Sequence, residues 1–395
     1  MQPSIQAAGL TNRQRLRSLA AVIAAAGTAG LSYGYSVPLF ALILERQGFS
    51  QSEIGINAAA GPIAAILSGL MMPKVIQRVG PLNAMLVSVV GMAAAFALFP
   101  FFPGLWSWFA LRFVIGGFGA VQWIVSEIWI VSLAAPSQRG RAISLYMMTL
   151  SGGFALGPLV IDQVGIEGNF PLFLASGLIA LSFPFLLLAR GLEPALPPSP
   201  KAAFKTVFIM APLVMVAAFL AGFTDQGVLS HLAIYAERRG FSTDMAVLLL
   251  SIMVVANLVL QPAIGWISDR YDRRRLLILC GWIFFLVPIG LELWFEEGFV
   301  LWPLLVLWGG ASLGIYTVAL TILGDRFEAA LLPAANSAVV ALYQVGAILG
   351  PPSGGAGMDT LGNGGLMWVM ASIALLFLLF AGWRNHVRRK QGLAR

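Results

Sequence analysis

Asp225 is the only acid in a long apolar run. Around it the chain reads FTDQGVLSH, residues 223–231, which sets Thr224 and Gln226 beside the carboxyl group and His231 further along. No basic residue nearby in sequence neutralises it. Ionisable groups in apolar surroundings are costly and are usually kept for a purpose. A carboxyl group that faces first one compartment and then another can take up a proton on one side and release it on the other. An imidazole such as His231 changes charge near neutrality. A second apolar run, LRFVIGGFGAVQWIVSEIW from Leu111, carries Arg112 and Glu127. Arg112 lies roughly 10 Å into its helix at 1.5 Å per residue. For each group a plainer role stands beside the chemical one. Asp225 can be a coupling or substrate group, or one side of a structural pair with a neighbouring helix. His231 can be a titrating group or an interfacial histidine near the surface. Arg112 can snorkel or join an ion pair, and Glu127 can be an interfacial acid paired with Arg139 or Arg141.

The elements that must hold these groups follow from composition. The chain has 395 residues, 59% hydrophobic and only 10% charged, whereas soluble domains are about 45–50% apolar and about 25% charged. Apolar stretches long enough to cross a bilayer number twelve, at 18–44, 52–73, 81–101, 105–133, 142–164, 169–189, 206–235, 244–268, 275–295, 299–324, 334–356 and 364–384. Arg13, Arg15 and Arg17 ahead of the first stretch look like a signal-peptide start, but the run that follows is too long, so it reads as a retained helix. The fold class expected is an all-α polytopic membrane protein of twelve spanning helices. Of 24 Lys and Arg, only Arg46, Arg238 and Arg239 fall in loops of one side, with Arg112 inside a span. The rest fall in loops of the other side, which places both termini in the cytoplasm and the chain in the cytoplasmic (inner) membrane. The net charge of +7 is scattered among apolar runs, which argues against nucleic acid as a partner. The lone Cys280 excludes an intramolecular disulfide.

The chain also repeats itself. ERQGFS at residues 45–50 returns as ERRGFS at 237–242, after the first and seventh stretches. Gly116-Gly117 in the fourth pairs with Gly309-Gly310 in the tenth, and GFALGP from Gly153 in the fifth pairs at the same offset with GAILGP from Gly346 in the eleventh. Gly69 and Gly265, ending the second and eighth, form a further pair. Two parallel halves of six helices follow, residues 1–189 and 206–395, joined by a linker over 190–205 in which EPALPPSPK favours an extended tether. Such parallel repeats are a mark of alternating-access transporters.

These motifs resemble the major facilitator superfamily. Gly265, three residues, Asp269-Arg270 and then Arg273-Arg274-Arg275 match that family's loop between the second and third helix of a half. The first-half counterpart keeps Gly69, Lys74, Arg78 and Gly80 but has Pro73 in place of the acid. The helix 4 sequence and the G-F-S turns look most like the YcaD-type branch. The resemblance implies a cytoplasmic latch built on Gly265, Asp269, Arg270, Arg273 and Arg274, with Gly265 allowing close helix approach. Because Pro73 cannot play the acid's part, the first-half latch at Gly69 and Arg78 is expected to be weak or absent. Gly153, Gly157 and Pro158, with Gly346, Gly350 and Pro351, resemble the glycine-proline motif that the family links with antiporters, where helices bend and pack closely. Arg112 matches the family's helix 4 arginine, implicated in proton coupling. The family's central cavity, lined by the first, fourth, seventh and tenth helices, would then expose Tyr33, Tyr35, Gln122, Trp123, Thr224, Gln226, Trp308 and Tyr316. Asn57, Asn257, Gln261 and Gln344 rank below these, as amides that can simply bridge helices.

The chain has no phosphate-binding GxxxxGK[ST] loop, no HExxH, and only two histidines, His231 and His386. An enzyme is not expected, nor a metal or organic cofactor. The reading is a secondary transporter of a small organic solute, proton-driven, efflux more than uptake, working in the bilayer as a monomer. A proton-independent facilitator, an organic-anion uptake carrier and a non-transporting sensor or scaffold are the alternatives.

Overall fold

Apolar runs of this length can satisfy their backbone groups in a bilayer only as helices or closed barrels, and the chain takes the helical route. The structure, a computed structural model, describes residues 10–134, 138–194, 204–295, 298–327 and 331–390; the tether beyond residue 194 and the side chains of Pro73, Arg139 and Asp269 lie outside the described residues. The helices are α1 (Asn12–Arg46), α2 (Gln51–Val79), α3 (Pro81–Leu98), α4 (Leu105–Leu133), α5 (Arg139–Val164), α6 (Phe170–Ala180), α7 (Ser182–Leu187), α8 (Phe204–Met210), α9 (Pro212–Arg238), α10 (Thr243–Arg270), α11 (Arg273–Trp294), α12 (Gly298–Arg326), α13 (Leu332–Leu361) and α14 (Gly365–Lys390). Among the described residues there is no strand. Among the described residues eleven segments are long and apolar enough to cross a membrane. The expected span at 334–356 is helical within α13 but is not one of these eleven.

Two expected helices are interrupted, each by proline. Pro184 cannot donate to Ala180 and its ring crowds that carbonyl, so the sixth span divides into α6 and α7 around Leu181. Pro212 does the same to Phe208, and the backbone leaves helical geometry at Ala211 (φ −130°, ψ 52°) between α8 and α9. By contrast α5 and α13 run on through Pro158 and Pro351-Pro352.

The chain forms two compact units, Met1–Ile43 with Ala60–Ser199, and Leu44–Ala59 with Pro200–Arg395. Residues 44–59, first-half by sequence, thus belong to the second unit. The first is centred on a cluster that includes Val22, Ala25, Met85, Val125 and Trp129, where the Trp129 indole donates to Ser18 Oγ (3.0 Å) and Ser18 in turn to the Leu192 carbonyl (3.2 Å). The second is built around α9, which is buried on nearly every side and packs against α10, α12, α13 and α14. Large apolar side chains such as Leu70, Trp106, Val259 and Phe299 are exposed, as a surface meeting lipid requires.

The duplicated glycine motifs do the same work in both units. In the first, a methyl group on Gly153 or Gly157 of α5 would collide with the α1 backbone at Gly27 or Gly34. In the second, one on Gly346 or Gly350 of α13 would collide with the α9 carbonyls of Phe219 or Phe223. Gly116 meets Gly61 of α2, and Gly309 meets the Met253 carbonyl of α10, in the same paired fashion. Small residues let backbones meet where lipid supplies no hydrophobic drive for association.

The duplicated hexapeptide is a helix-end module. Gly48 (φ +85°) and Gly240 (φ +88°) take the left-handed conformation open to glycine. Phe49 N–H bonds back to the Leu44 carbonyl and Phe241 N–H to the Ala236 carbonyl, each at 3.2 Å, the long-range bond of a Schellman cap. The serine then opens the next helix: Ser50 and Glu53 cap one another ahead of α2, and Ser242 Oγ accepts from Met245 N–H at α10. The glutamate and arginine of each copy pair with those of the other, Glu45 with Arg238 at 2.9 Å and Arg46 with Glu237 at 3.3 Å, all inside the second unit.

Candidate functional site

Asp225 lies in the middle of α9, partly buried, and two helices supply it with donors. The Ser312 hydroxyl of α12 donates to Oδ1, and the Tyr343 hydroxyl of α13 donates to Oδ2 at 3.1 Å. Tyr316, one turn beyond Ser312, meets the Tyr343 ring edge-on at 5.6 Å. The next residue of that helix, Thr317, donates its hydroxyl to Oε1 of Gln261 of α10 at 3.0 Å. Two hydroxyl donors suit an ionised carboxylate. A proton arriving at either oxygen obliges one hydroxyl to turn from donor to acceptor, so protonation of Asp225 is tied to a change in the hold between α9 and α12 or α13.

The neighbouring residues divide between chemistry and packing. Gln226 is half-buried, whereas Thr224 is fully buried with its hydroxyl folded back on the Leu220 and Ala221 carbonyls (2.8 and 3.2 Å). That geometry removes Thr224 from the expected cavity wall. Trp308 is likewise fully buried and is a core residue of its unit. His231, expected near the surface, is also fully buried. Its ring lies between two backbone carbonyls, Gly227 O at 3.3 Å from Nδ1 and Gln51 O at 3.2 Å from Nε2.

In the first unit Arg112 is buried with its guanidinium 5.3 Å from the centre of the Phe40 ring of α1, which itself stacks on Phe99 at 4.4 Å. Tyr33, half-buried against Phe154, is the electrostatic neighbour of Arg112. Tyr35 is spoken for, since its buried hydroxyl donates to the Pro171 carbonyl of α6 at 3.0 Å; it is a packing residue and not a cavity aromatic. Glu127 accepts from the Trp123 indole at 2.9 Å, and among the described residues no ion pair joins it to Arg141. The indole is the nearer donor, one helical turn back. Both amide atoms of Gln122 and the Ser126 hydroxyl are buried with no hydrogen-bond partner among the described residues. Arg112 and Asp225 fall in different units.

The loop expected to form a latch makes local contacts among the described residues. A methyl group on Gly265 would meet nothing among the described residues, and one on Gly69 would only touch Ile124 at 4.0 Å, so neither glycine marks a close helix crossing. Arg270 lies on the Trp266 ring at 3.8 Å, and Arg273 donates to the Ser268 carbonyl at 3.2 Å. Asp272 caps α11 by accepting from Arg275 N–H at 2.7 Å. Arg274 is not without a partner, and Arg78 is exposed. Asp269, the acid of the motif, has its side chain outside the described residues.

Sequence reasoning missed Ser312 and Tyr343. Both were within reach of helical spacing. Ser312 precedes Tyr316 by one turn, and Tyr343 shares the α13 face of Gly346 and Gly350, which meets α9.

A profile of the Major Facilitator Superfamily matches residues 22–257 and 214–394. The chain belongs to that superfamily. As a facilitator-superfamily protein it is a membrane-embedded, multi-pass secondary transporter of the YcaD type, and not an enzyme. It is 27% identical over 353 residues to the uncharacterized MFS-type transporter YfkF of Bacillus subtilis, covering 86% of this chain and 88% of that one. To the uncharacterized MFS-type transporter YcaD of Shigella flexneri it is 26% identical over 345 residues, covering 87% and 88%. Solved facilitators share the fold. A D-xylose-proton symporter superposes with TM-score 0.71 at 18% identity over 91% of this chain and 96% of its own. The nucleoside transporter NupG does so with TM-score 0.76 at 13% identity over 92% and 98%.

Proposed function

We propose that the protein carries a small organic solute across the cytoplasmic membrane by alternating access, with proton movement through Asp225 driving the cycle and export as its direction. The observation that carries this reading is the Asp225 site itself. A carboxylate in mid-span, held by hydroxyls from two other helices, couples a proton to helix contacts with no cofactor, the proton gradient being the energy source. In the second unit Gln226, Tyr316 and Tyr343 are the candidates to meet the solute, and in the first unit Tyr33 and Trp123; each is an aromatic or amide suited to a moderately apolar compound. Arg112 remains the first-unit candidate for coupling. The loop distribution of Lys and Arg supports cytoplasmic termini, with α13 crossing as a twelfth span and the bundle working as a monomer. One protein of similar fold is a D-xylose-proton symporter, which supports coupling. Pro73 in the first-half motif favours the second reading, a proton-independent facilitator.

A thermal-shift screen of the purified protein against metabolites and drugs at two pH values supplies the test compound, because a ligand of the native state raises its apparent stability. In proteoliposomes, Asp225→Asn is expected to abolish gradient-driven accumulation of that compound while sparing exchange. Full accumulation by Asp225→Asn would remove Asp225 from the mechanism.

A further inference from the structure

Three contacts on Gln51 hold the first turn of α2 in the second unit. Gln51 N–H donates to Asp359 Oδ1 of α13 at 3.0 Å, and its side-chain amide donates to Glu45. Its carbonyl faces His231 Nε2 of α9 at 3.2 Å. Ser52 adds its N–H (2.8 Å) and hydroxyl (2.6 Å) to the other oxygen of Asp359, so a carboxylate from a distant helix caps this N-terminus, where two orphan donors and the helix dipole favour it. The grip is tight, for a methyl group on Gly355 would collide with the Gln51 carbonyl and one on Gly55 with the Pro351 carbonyl.

His231 differs from the other two holds. Both its ring nitrogens face backbone carbonyls, and carbonyls only accept. A neutral imidazole carries one N–H and serves one of them, leaving a lone pair against the other oxygen; the imidazolium carries two and serves both. We infer that His231 is a proton-dependent latch, which in its doubly protonated form fastens the start of α2 to α9 and on losing a proton weakens that hold. The charged groups around it are Asp359 on α13 and Arg238 on its own helix. Glu45 at the end of α1 bonds both Gln51 and Arg238, and Glu292 of α11 takes up Arg239 and the Tyr235 hydroxyl. The hold is therefore present at low pH and lost as pH rises. The inference rests on the alternating-access reading, in which helix contacts must form and break once per cycle, but it does not depend on Asp225.

The chain has only two histidines, so His386→Gln leaves His231 as the sole imidazole. Nitrogen NMR of that protein in nanodiscs reads the protonation of the ring directly. Spin labels on Gln47→Cys and Thr360→Cys, in a Cys280→Ser background, read whether the start of α2 stays on α13. As pH rises from 5 to 8.5 the doubly protonated signal is expected to disappear. The short label distance should lose population with it, the closed-to-open ratio falling by up to about tenfold per pH unit, the slope of one linked proton. In His231→Gln the distances should not change with pH. Retained pH dependence in that variant, or a ring in one protonation state throughout the range, would overturn the inference. Should His231→Gln fail to fold, the His386→Gln titration decides alone. Loss of coupling in Asp225→Asn with an unaltered His231 titration would separate the two sites, and a silent His231 beside a functional Asp225 would sink the latch only.

Discussion

Glu45 and Arg238 meet at 2.9 Å, and Arg46 meets Glu237 at 3.3 Å, so each copy of the duplicated hexapeptide gives its acid to the other's base. The contact is self-complementary in the way of a two-fold interface, here between the ends of α1 and α9. The repetition has two causes, one local and one long-range. Each copy must end a helix, turn and start the next, and the two must match each other in charge.

Reversing one member, Glu45→Arg or Arg238→Glu, sets like charges together. Exposed pairs of this kind are worth about 0.2–1 kcal/mol, so each single reversal should shift the spin-label distance equilibrium between Gln47→Cys and Thr360→Cys by about two- to fivefold toward separation. The double reversal should return it close to the parent value. A double variant no better than either single would show that the pair contributes no specificity.

Tyr343→Phe removes one donor from Asp225 and keeps the ring edge on Tyr316. A hydrogen bond to a charged group is worth about 1.5–3 kcal/mol, and the gradient-driven transport rate should fall by about ten- to a hundredfold while the thermal unfolding temperature moves little. A large loss of stability with unchanged transport per folded molecule would make Tyr343 structural.

Gly346→Ala and Gly265→Ala are a contrasting pair. The first places a methyl group against the Phe219 carbonyl, backbone that cannot move aside, and it should cost several degrees of unfolding temperature or the yield of folded protein. The second enters open space and should be neutral or slightly stabilising, since alanine favours a helix over glycine by up to about 1 kcal/mol. Thermal unfolding in detergent distinguishes them. Equal damage at both sites would place an unseen neighbour at Gly265.

Asp359, beyond the expected end of its span, is pushed upward by partial burial, but bonds from Ser52 and Gln51 together with Arg238 outweigh that and hold its carboxyl below the usual range. A depressed carboxyl stabilises the fold above its unfolded value and loses that contribution as pH falls through its folded one. Asp359→Asn should therefore be less stable than the parent at pH 7, with the two unfolding curves converging as pH is lowered below the ordinary carboxylate range. A gap that persists unchanged into acid would mean that its charge is not what Asp359 supplies.

Much of this architecture was legible in the chain because bilayer-length apolar runs leave few folding options. The duplicated helix contacts and turns were legible because their glycines recur at matching places in the two units. The interruptions at Leu181 and Ala211 were also readable, as Pro184 and Pro212 each deny a carbonyl its donor one turn back. The site was harder. Asp225 stands out in any apolar run, but Ser312 does not, because a span hydroxyl usually bonds its own helix, as Thr224 does. A glycine, likewise, announces absent bulk without naming the neighbour. Gly346 has a backbone against it and Gly265 has none, and only the packing of α9 with α13 tells them apart. Tyr35 and Trp308 read as cavity walls in the sequence because an aromatic at mid-depth looks alike whether it faces a channel or a neighbour.

The burial of α9 has a consequence for how the protein is made. A segment carrying Asp225, Gln226 and His231 would leave them in hydrocarbon if it entered the bilayer by itself, and a central aspartate alone opposes insertion by about 2.5–3.5 kcal/mol. The partners of Asp225, Ser312 and Tyr343, are synthesised more than eighty residues later. Until the ribosome delivers them, α9 must shelter against the first six spans, a chaperone or the insertion machinery, which makes it the point at which membrane assembly of this chain is most exposed to failure.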